Sequence, residues 1–228
     1  MSEVRLLLCA LAGLLMVSCG GGQAPLPEAK RVSSVESASD VATPDGRPLI
    51  VAFGDSLSAG HGVEPGKSYP AFLQAALDDA GYRYRVVNAG VSGDTTGGGL
   101  SRAGAITGLK PAAVILELGG NDGLRGLPIE STSANLEQII GILRKSGALV
   151  VLAGMTLPPN YGAGYIEQFE NVYKRLAAKY RLPLIPFLLE GVAGRPGLMQ
   201  EDGIHPTAEG NRVAARNVFR VIAPFLKK

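Results

Sequence analysis

Short apolar runs and helix-patterned stretches alternate along this chain from Leu49 to Leu226. The runs LIVAF (Leu49–Phe53), AAVILEL (Ala112–Leu118) and ALVVLA (Ala148–Ala153) are strand-length and nearly uncharged, the pattern of strands covered on both faces. Tyr84–Val87 and Leu184–Ile185 add two shorter strands. Between them, Tyr69–Ala80, Gly99–Gly108, Asn135–Lys145, Tyr165–Tyr180 and Ala208–Leu226 carry helical spacing, and the first and third end at the glycines Gly81 and Gly147. Strands separated by helices of ten or more residues cannot pair as hairpins and must cross over. The expectation is an α/β domain of three layers, α/β/α and flavodoxin-like, around about five mainly parallel strands.

In such sheets ligands bind beyond the carboxyl ends of the strands. Four segments therefore matter: Gly54–Gly62, Asn88–Gly99, Gly119–Gly126, and Met199–Pro206 before the last helix. The first begins Gly54-Asp55-Ser56-Leu57. A serine hydroxyl attacks a carbonyl only beside a base, with donors to hold the oxyanion that forms. Ser56 could equally punctuate a turn.

The last segment reads EDGIHP, with Asp202 three residues before His205. A general-base imidazole needs one nitrogen towards the nucleophile and the other held by a carboxylate. Asp202 and His205 can meet that need on one compact loop, with Gly203 easing the path. The alternative is a turn opened by Asp202. Two histidines occur in the chain, His61 and His205. His61 lacks a carboxylate at similar spacing, so His205 is the better base. Among the middle segments, NAGVSGDTTGGG offers the backbone N–H of Gly93, and LGGNDG offers the side-chain amide of Asn121. With the Ser56 N–H these make three possible oxyanion donors. Taken singly, Gly93 could be a turn glycine and Asn121 a left-handed turn residue. Asp55 and Asp94 are read as loop organisers through backbone hydrogen bonds.

Taken together and in this order, Gly-Asp-Ser-Leu, Asn-x-Gly-x-Ser-Gly-Asp, Gly-x-Asn-Asp and Asp-x-x-His resemble the SGNH (GDSL) hydrolase family. NAGVSGDTTGGGLSR, LELGGNDGLRG, LPPNYGAGY and DGIHP are similar to its bacterial arylesterase and multifunctional thioesterase/lysophospholipase branch. The resemblance spans about Leu49–Phe225. It implies a serine esterase acting on aryl or short-to-medium acyl esters, thioesters or lysophospholipids through an acyl-enzyme. Ser56 would be the nucleophile, His205 the base and Asp202 its orienter, with Ser56, Gly93 and Asn121 as the oxyanion hole. It also implies a mobile loop at Asp122–Leu127 beside the acyl groove and a second wall near Leu157–Tyr161, so Leu124, Arg125 and Tyr161 are candidate substrate contacts. No cofactor or metal is implied, and the body would be a monomer. Rival readings are a carbohydrate deacetylase or acyltransferase of the same fold, and a non-catalytic lipid-tethered binding protein.

The first 48 residues lie outside that resemblance. Leu6–Val17 is an apolar run too short to span a bilayer, ending in Ser18-Cys19-Gly20. Small residues before a cysteine there resemble a bacterial lipobox, with Met16 where leucine is usual. The reading is a signal segment over 1–18, lipidation of Cys19, a flexible Gly-, Pro- and Ser-rich tether over 19–46, and the hydrolase domain over 47–228. The product would be an exported protein, periplasmic or membrane-tethered. Both cysteines, Cys9 and Cys19, fall in the leader, so the body has no disulfide or thiol nucleophile. The net charge of +2, without a basic run, gives no case for nucleic acid. GVEPGKS is not a phosphate loop, since only three residues separate its glycines.

Overall fold

The computed structural model describes residues 46–228. The expected signal segment, Cys19 and all but the last residue of the tether lie outside them. Among these residues five strands form one sheet: β1 (Leu49–Gly54), β2 (Arg85–Asn88), β3 (Ala113–Glu117), β4 (Leu149–Ala153) and β5 (Leu184–Ile185), in the order β2-β1-β3-β4-β5. Every pairing is parallel. All residues of β1 and β3 are buried, whereas edge strand β2 is half-buried or exposed. The unbroken apolar runs are therefore the central strands, as layering on both faces requires.

Among the described residues, seven α-helices accompany the sheet: α1 (Ser56–Ala59), α2 (Tyr69–Asp79), α3 (Thr96–Gly108), α4 (Gly120–Leu124), α5 (Ile129–Lys145), α6 (Ala163–Tyr180) and α7 (Ala208–Ile222). The crossovers send α2 to one face, where it packs on α7. They send α3, α5 and α6 to the other face, α3 against α5 and α5 against α6. Phe53, Ile50, Ile115, Leu116, Tyr69, Leu73, Leu136 and Phe169 are fully buried between these layers. No helix among the described residues is long and apolar enough to cross a membrane.

Several boundaries differ from expectation. Helix α3 starts at Thr96, three residues early, although Gly97, Gly98 and Gly99 are poor helix formers. Thr95 caps it by accepting from Gly98 N, and a Cβ at position 99 would lie 2.2 Å from Leu118 Cδ1. Helix α5 starts at Ile129 rather than Asn135. Its first turns (IESTSA) look loop-like in composition, yet Pro128 precedes them, Glu130 sits at the positive end, and Arg144 and Lys145 at the negative end. Helix α7 ends at Ile222 and passes into a 3-10 turn at Ala223–Phe225. Helices α1 and α4 fall where the sequence predicts loop; at one turn each they are too short to show a period. The expected mobile loop Asp122–Leu127 is likewise not loop throughout. Its first three residues are helical in α4, and Asp122 is buried.

Strand β1 lies between β2 and β3, so the chain leaves β1 in one direction and β2 in the other. That reversal opens a crevice at the carboxyl ends of β1 and β3. Ser56 follows β1 by two residues, and Asn121 follows β3 by four.

Candidate active site

Ser56 opens α1 directly beyond the sheet. Asp55 caps that turn, its Oδ1 accepting from Leu57 N at 3.0 Å, and Gly60 closes it with φ +82°. This hydrogen bond is the organising role expected of Asp55. Asn88 braces the turn from β2, donating from Nδ2 to Ser58 O at 2.7 Å.

The loop before α7 supplies the imidazole. Asp202 Oδ1 accepts from the backbone N–H groups of Ile204 and His205, both at 3.0 Å, while Gly203 takes φ +72° between them. Asp202 Oδ2 lies 2.7 Å from His205 Nδ1, and His205 Nε2 lies 2.9 Å from Ser56 Oγ. A carboxylate only accepts, so Nδ1 carries the hydrogen and Nε2 faces the serine hydroxyl with its lone pair. Partial desolvation pushes the Asp202 carboxyl up, but the hydrogen bonds from the His205 ring and from the His205 and Ile204 backbone outweigh it, leaving it at about 2. Gln200 ties the loop down: its Nε2 donates to Pro206 O and to His61 O, and its N–H to His205 O. Through that link the His61 ring packs against His205, centroids 4.4 Å apart. Among the described residues His61 has no carboxylate partner.

Gly93 takes φ +83°, and Arg125 Nη2 donates to its carbonyl at 3.0 Å. The adjacent Asp94 carboxylate pairs with Arg102 Nε at 2.6 Å. Arg102 also donates to Ala89 O at 2.7 Å and Gly54 O at 2.8 Å, with its guanidinium 4.5 Å above the Phe53 ring. Asp94 thus organises its loop through a side-chain ion pair rather than the expected backbone bond. Asn121 donates from Nδ2 to Asp55 Oδ2 at 3.0 Å and to Asp94 O at 2.9 Å. Its neighbour Asp122 points the other way and accepts from Thr96 N at 2.8 Å and Thr96 Oγ1 at 2.5 Å, with Thr132 Oγ1 at 3.3 Å. This buried carboxylate pins α4 to the starts of α3 and α5.

Ser56, Gly93, Asn121, His61 and His205 all border one cleft of about 640 Å³. Its remaining walls are mostly apolar, including Leu124, Met155, Leu157, Phe187 and Ile204. Of the three candidate substrate contacts, Leu124 borders the cleft. Arg125 and Tyr161 stand behind it: Arg125 holds Gly93 O, and Tyr161 donates from its hydroxyl to Leu124 O at 2.8 Å. Their long polar side chains find backbone carbonyls to satisfy instead of the groove.

One group in the site has no counterpart among the sequence-derived candidates. Glu117, the last residue of β3, is fully buried directly beneath this machinery. Its Oε2 accepts from Ser58 Oγ at 2.8 Å and from Asp55 N at 3.2 Å, and Tyr69 OH lies 3.0 Å from Ser58 Oγ. Burial, and next the negative charge of Asp55, push the Glu117 carboxyl well above the usual carboxylate range. Burial raises Asp55 as well, against the hydrogen bonds it receives from Leu57, Glu117 and Asn121 and the charge of His205. The visible signal was a lone charged residue inside AAVILEL.

Comparison with known proteins agrees with this geometry. The model of the GDSL-like lipase/acylhydrolase family matches residues 52–213. The chain is 47% identical over 178 residues to esterase TesA of Pseudomonas aeruginosa, covering 78% of this chain and 89% of that protein. It is 39% identical over 180 residues to thioesterase 1/protease 1/lysophospholipase L1 of Escherichia coli K12, covering 78% of this chain and 84% of the relative. A crystal structure of TesA superposes with a TM-score of 0.76 at 48% identity, covering 79% of this chain and all of that one. With the parallel sheet, the serine after β1 and the histidine before α7 in the family's order, the chain belongs to the GDSL-like (SGNH) lipase/acylhydrolase family.

Proposed function

We propose that the protein is a serine ester hydrolase working through an acyl-enzyme. Ser56 Oγ attacks the acyl carbonyl while His205 Nε2 takes its proton. His205 returns that proton to the leaving alkoxide or thiolate, and then activates the water that releases the acid. Asp202 holds the tautomer and balances the imidazolium. The N–H groups of Ser56 and Gly93 and the Asn121 amide receive the oxyanion. The observation that carries this reading is the Asp202–His205–Ser56 relay, with contacts of 2.7 and 2.9 Å at the mouth of the cleft.

The apolar walls suit an aryl group or a short-to-medium acyl chain and offer little to a sugar, which favours carboxylic esters, thioesters or lysophospholipids over acetylated carbohydrate. The names of the relatives, esterase and thioesterase/lysophospholipase, support the same classes. Replacing Ser56 with alanine should lower p-nitrophenyl ester hydrolysis by about four orders of magnitude or more, with the fold retained. Retained activity, or failure of a fluorophosphonate to label Ser56, would overturn the assignment. A series of acyl lengths on p-nitrophenyl esters, acyl-CoA and lysophospholipid then ranks the substrates.

The leader adds a location to this proposal. Cleavage before Cys19 and lipidation of that cysteine would put the enzyme in the periplasm on a tether of about 28 residues, away from cytosolic acyl-CoA. Mass spectrometry of the mature N-terminus tests it; an unmodified start downstream of Cys19 would refute it.

A further inference from the structure

Two observations beneath the site do not follow from the relay. First, Glu117 Oε1 is the one atom among the buried side-chain nitrogens and oxygens of the described residues that has no hydrogen-bond donor. A carboxylate oxygen left so in a dry interior is strongly disfavoured, unless that oxygen carries a proton of its own. Secondly, the Asp55 and Glu117 carboxyls are buried side by side, with Asp55 N donating to Glu117 Oε2 at 3.2 Å and neither residue more than 2% exposed. Two carboxylates buried together without a cation repel, so one of the pair is an acid. Asp55 also receives Leu57 N–H and Asn121 Nδ2–H, donors that suit an anion. Glu117 is the acid and Asp55 the anion.

The packing is built around this pair. Gly54 and Glu117 face each other in the parallel register of β1 and β3. A Cβ at position 54 would lie 2.2 Å from Glu117 Oε2 and 2.1 Å from Ser58 Oγ. Glycine before Asp55-Ser56 therefore makes the room that the Glu117 carboxyl occupies.

Asn121 gives the pair a consequence for chemistry. Both hydrogens of its amide are already donated, one to the Asp55 carboxylate and one to the carbonyl of Asp94. An oxyanion can draw a hydrogen from a neutral carbonyl more readily than from a carboxylate. With Asp55 charged, the hydrogen on the Asp94 carbonyl is released to the reacting oxygen and the other keeps the amide in place. We propose that Glu117 is a positioning residue: as a neutral acid it donates to the Asp55 carboxylate, and Asp55 in turn fixes the Asn121 amide for the oxyanion. This rests on the esterase reading for its effect on rate, though not for the presence of the proton.

The test compares Glu117→Gln, which keeps a neutral donor and acceptor of the same shape, with Glu117→Leu, which keeps neither. Infrared difference spectra of the purified protein at pH 7, in H2O and D2O, should show a protonated-carboxyl stretch in the wild type that Glu117→Gln abolishes. With a p-nitrophenyl ester, Glu117→Leu should lower kcat by about tenfold to a hundredfold, with KM within about threefold, and weaken an aryl trifluoromethyl ketone, which adds as a tetrahedral oxyanion, by a similar factor. Glu117→Gln should recover most of both losses. Absence of the band overturns the proton assignment. A change in KM alone, or a glutamine variant as impaired as the leucine one, overturns the positioning role. If Glu117→Leu does not fold, the band and the Glu117→Gln kinetics still decide. If the wild type hydrolyses no ester, the esterase reading and the positioning role fail together, while the band still reports the proton.

Discussion

The rings of His61 and His205 lie 4.4 Å apart between centroids, tilted by 39°, so the histidine without a carboxylate partner forms one wall for the imidazole that faces Ser56. Aromatic contacts of this kind contribute about 0.5–1.5 kcal/mol and, in a site, restrict a ring to one orientation. His61→Ala should therefore lower kcat by about twofold to tenfold without abolishing activity, and His61→Phe should recover most of the loss. Steady-state kinetics on a p-nitrophenyl ester check this; a His61→Ala variant as inactive as Ser56→Ala would instead make His61 the base.

Asp202 carries a pH dependence of definite sign. Its carboxyl is held at about 2, below its ordinary 3.8, so the folded state binds this proton less tightly than the unfolded chain. The stability it contributes is complete above about pH 4 and is lost as pH falls towards 2. Urea midpoints measured between pH 5 and 2 should fall less steeply in Asp202→Asn than in the wild type. The same variant lets the imidazole take the wrong tautomer and should lower kcat at pH 7 by about two to four orders of magnitude.

Arg102 is the brace of the Gly93–Asp94 loop. It answers the Asp94 carboxylate and two backbone carbonyls, Ala89 O and Gly54 O, from a largely buried position. Arg102→Met should destabilise the fold by about 1–3 kcal/mol, because those acceptors lose their donors. It should also lower kcat more than it raises KM, since the Asp94 carbonyl that holds Asn121 belongs to the same loop. Chemical denaturation beside kinetics reads both effects.

Two glycines should respond in opposite directions. Gly54→Ala forces a Cβ to within 2.7 Å of the Glu117 backbone carbonyl, which cannot swing away, and should cost about 2–4 kcal/mol or prevent folding. Gly104 lies inside α3, and a methyl group there would meet nothing within 4 Å. Gly104→Ala should stabilise by about 0.5–1 kcal/mol, read as a raised denaturation midpoint.

Much of this site is legible in the sequence because it is local. Asp202 and His205 sit on one loop, where residues three apart can meet whatever the rest of the chain does. Ser56 and Asn121 follow apolar runs whose length and composition declare central parallel strands, and such strands deliver their next loops to one edge of the sheet. Period and composition also announce most helices, but miss α1 and α4, which are one turn long, and the first six residues of α5, which look like loop until the Pro128 start and the charges at either end are set together.

By itself, then, the sequence determined the layers, the order of the strands' loops and the residue types offered at their ends, since burial on both faces and 3.6-residue periodicity are properties of short windows. Tertiary structure alone decided which of those residues meet. The register of β1 on β3 sets Gly54 opposite Glu117, and Asp55 reaches a carboxyl 62 residues away. The Gln200 bridge brings a loop from the start of the domain against His205. A window of sequence records how apolar a face is. Only the closed sheet, where every buried polar atom must find a partner among distant neighbours, records where a lone glutamic acid can keep its proton.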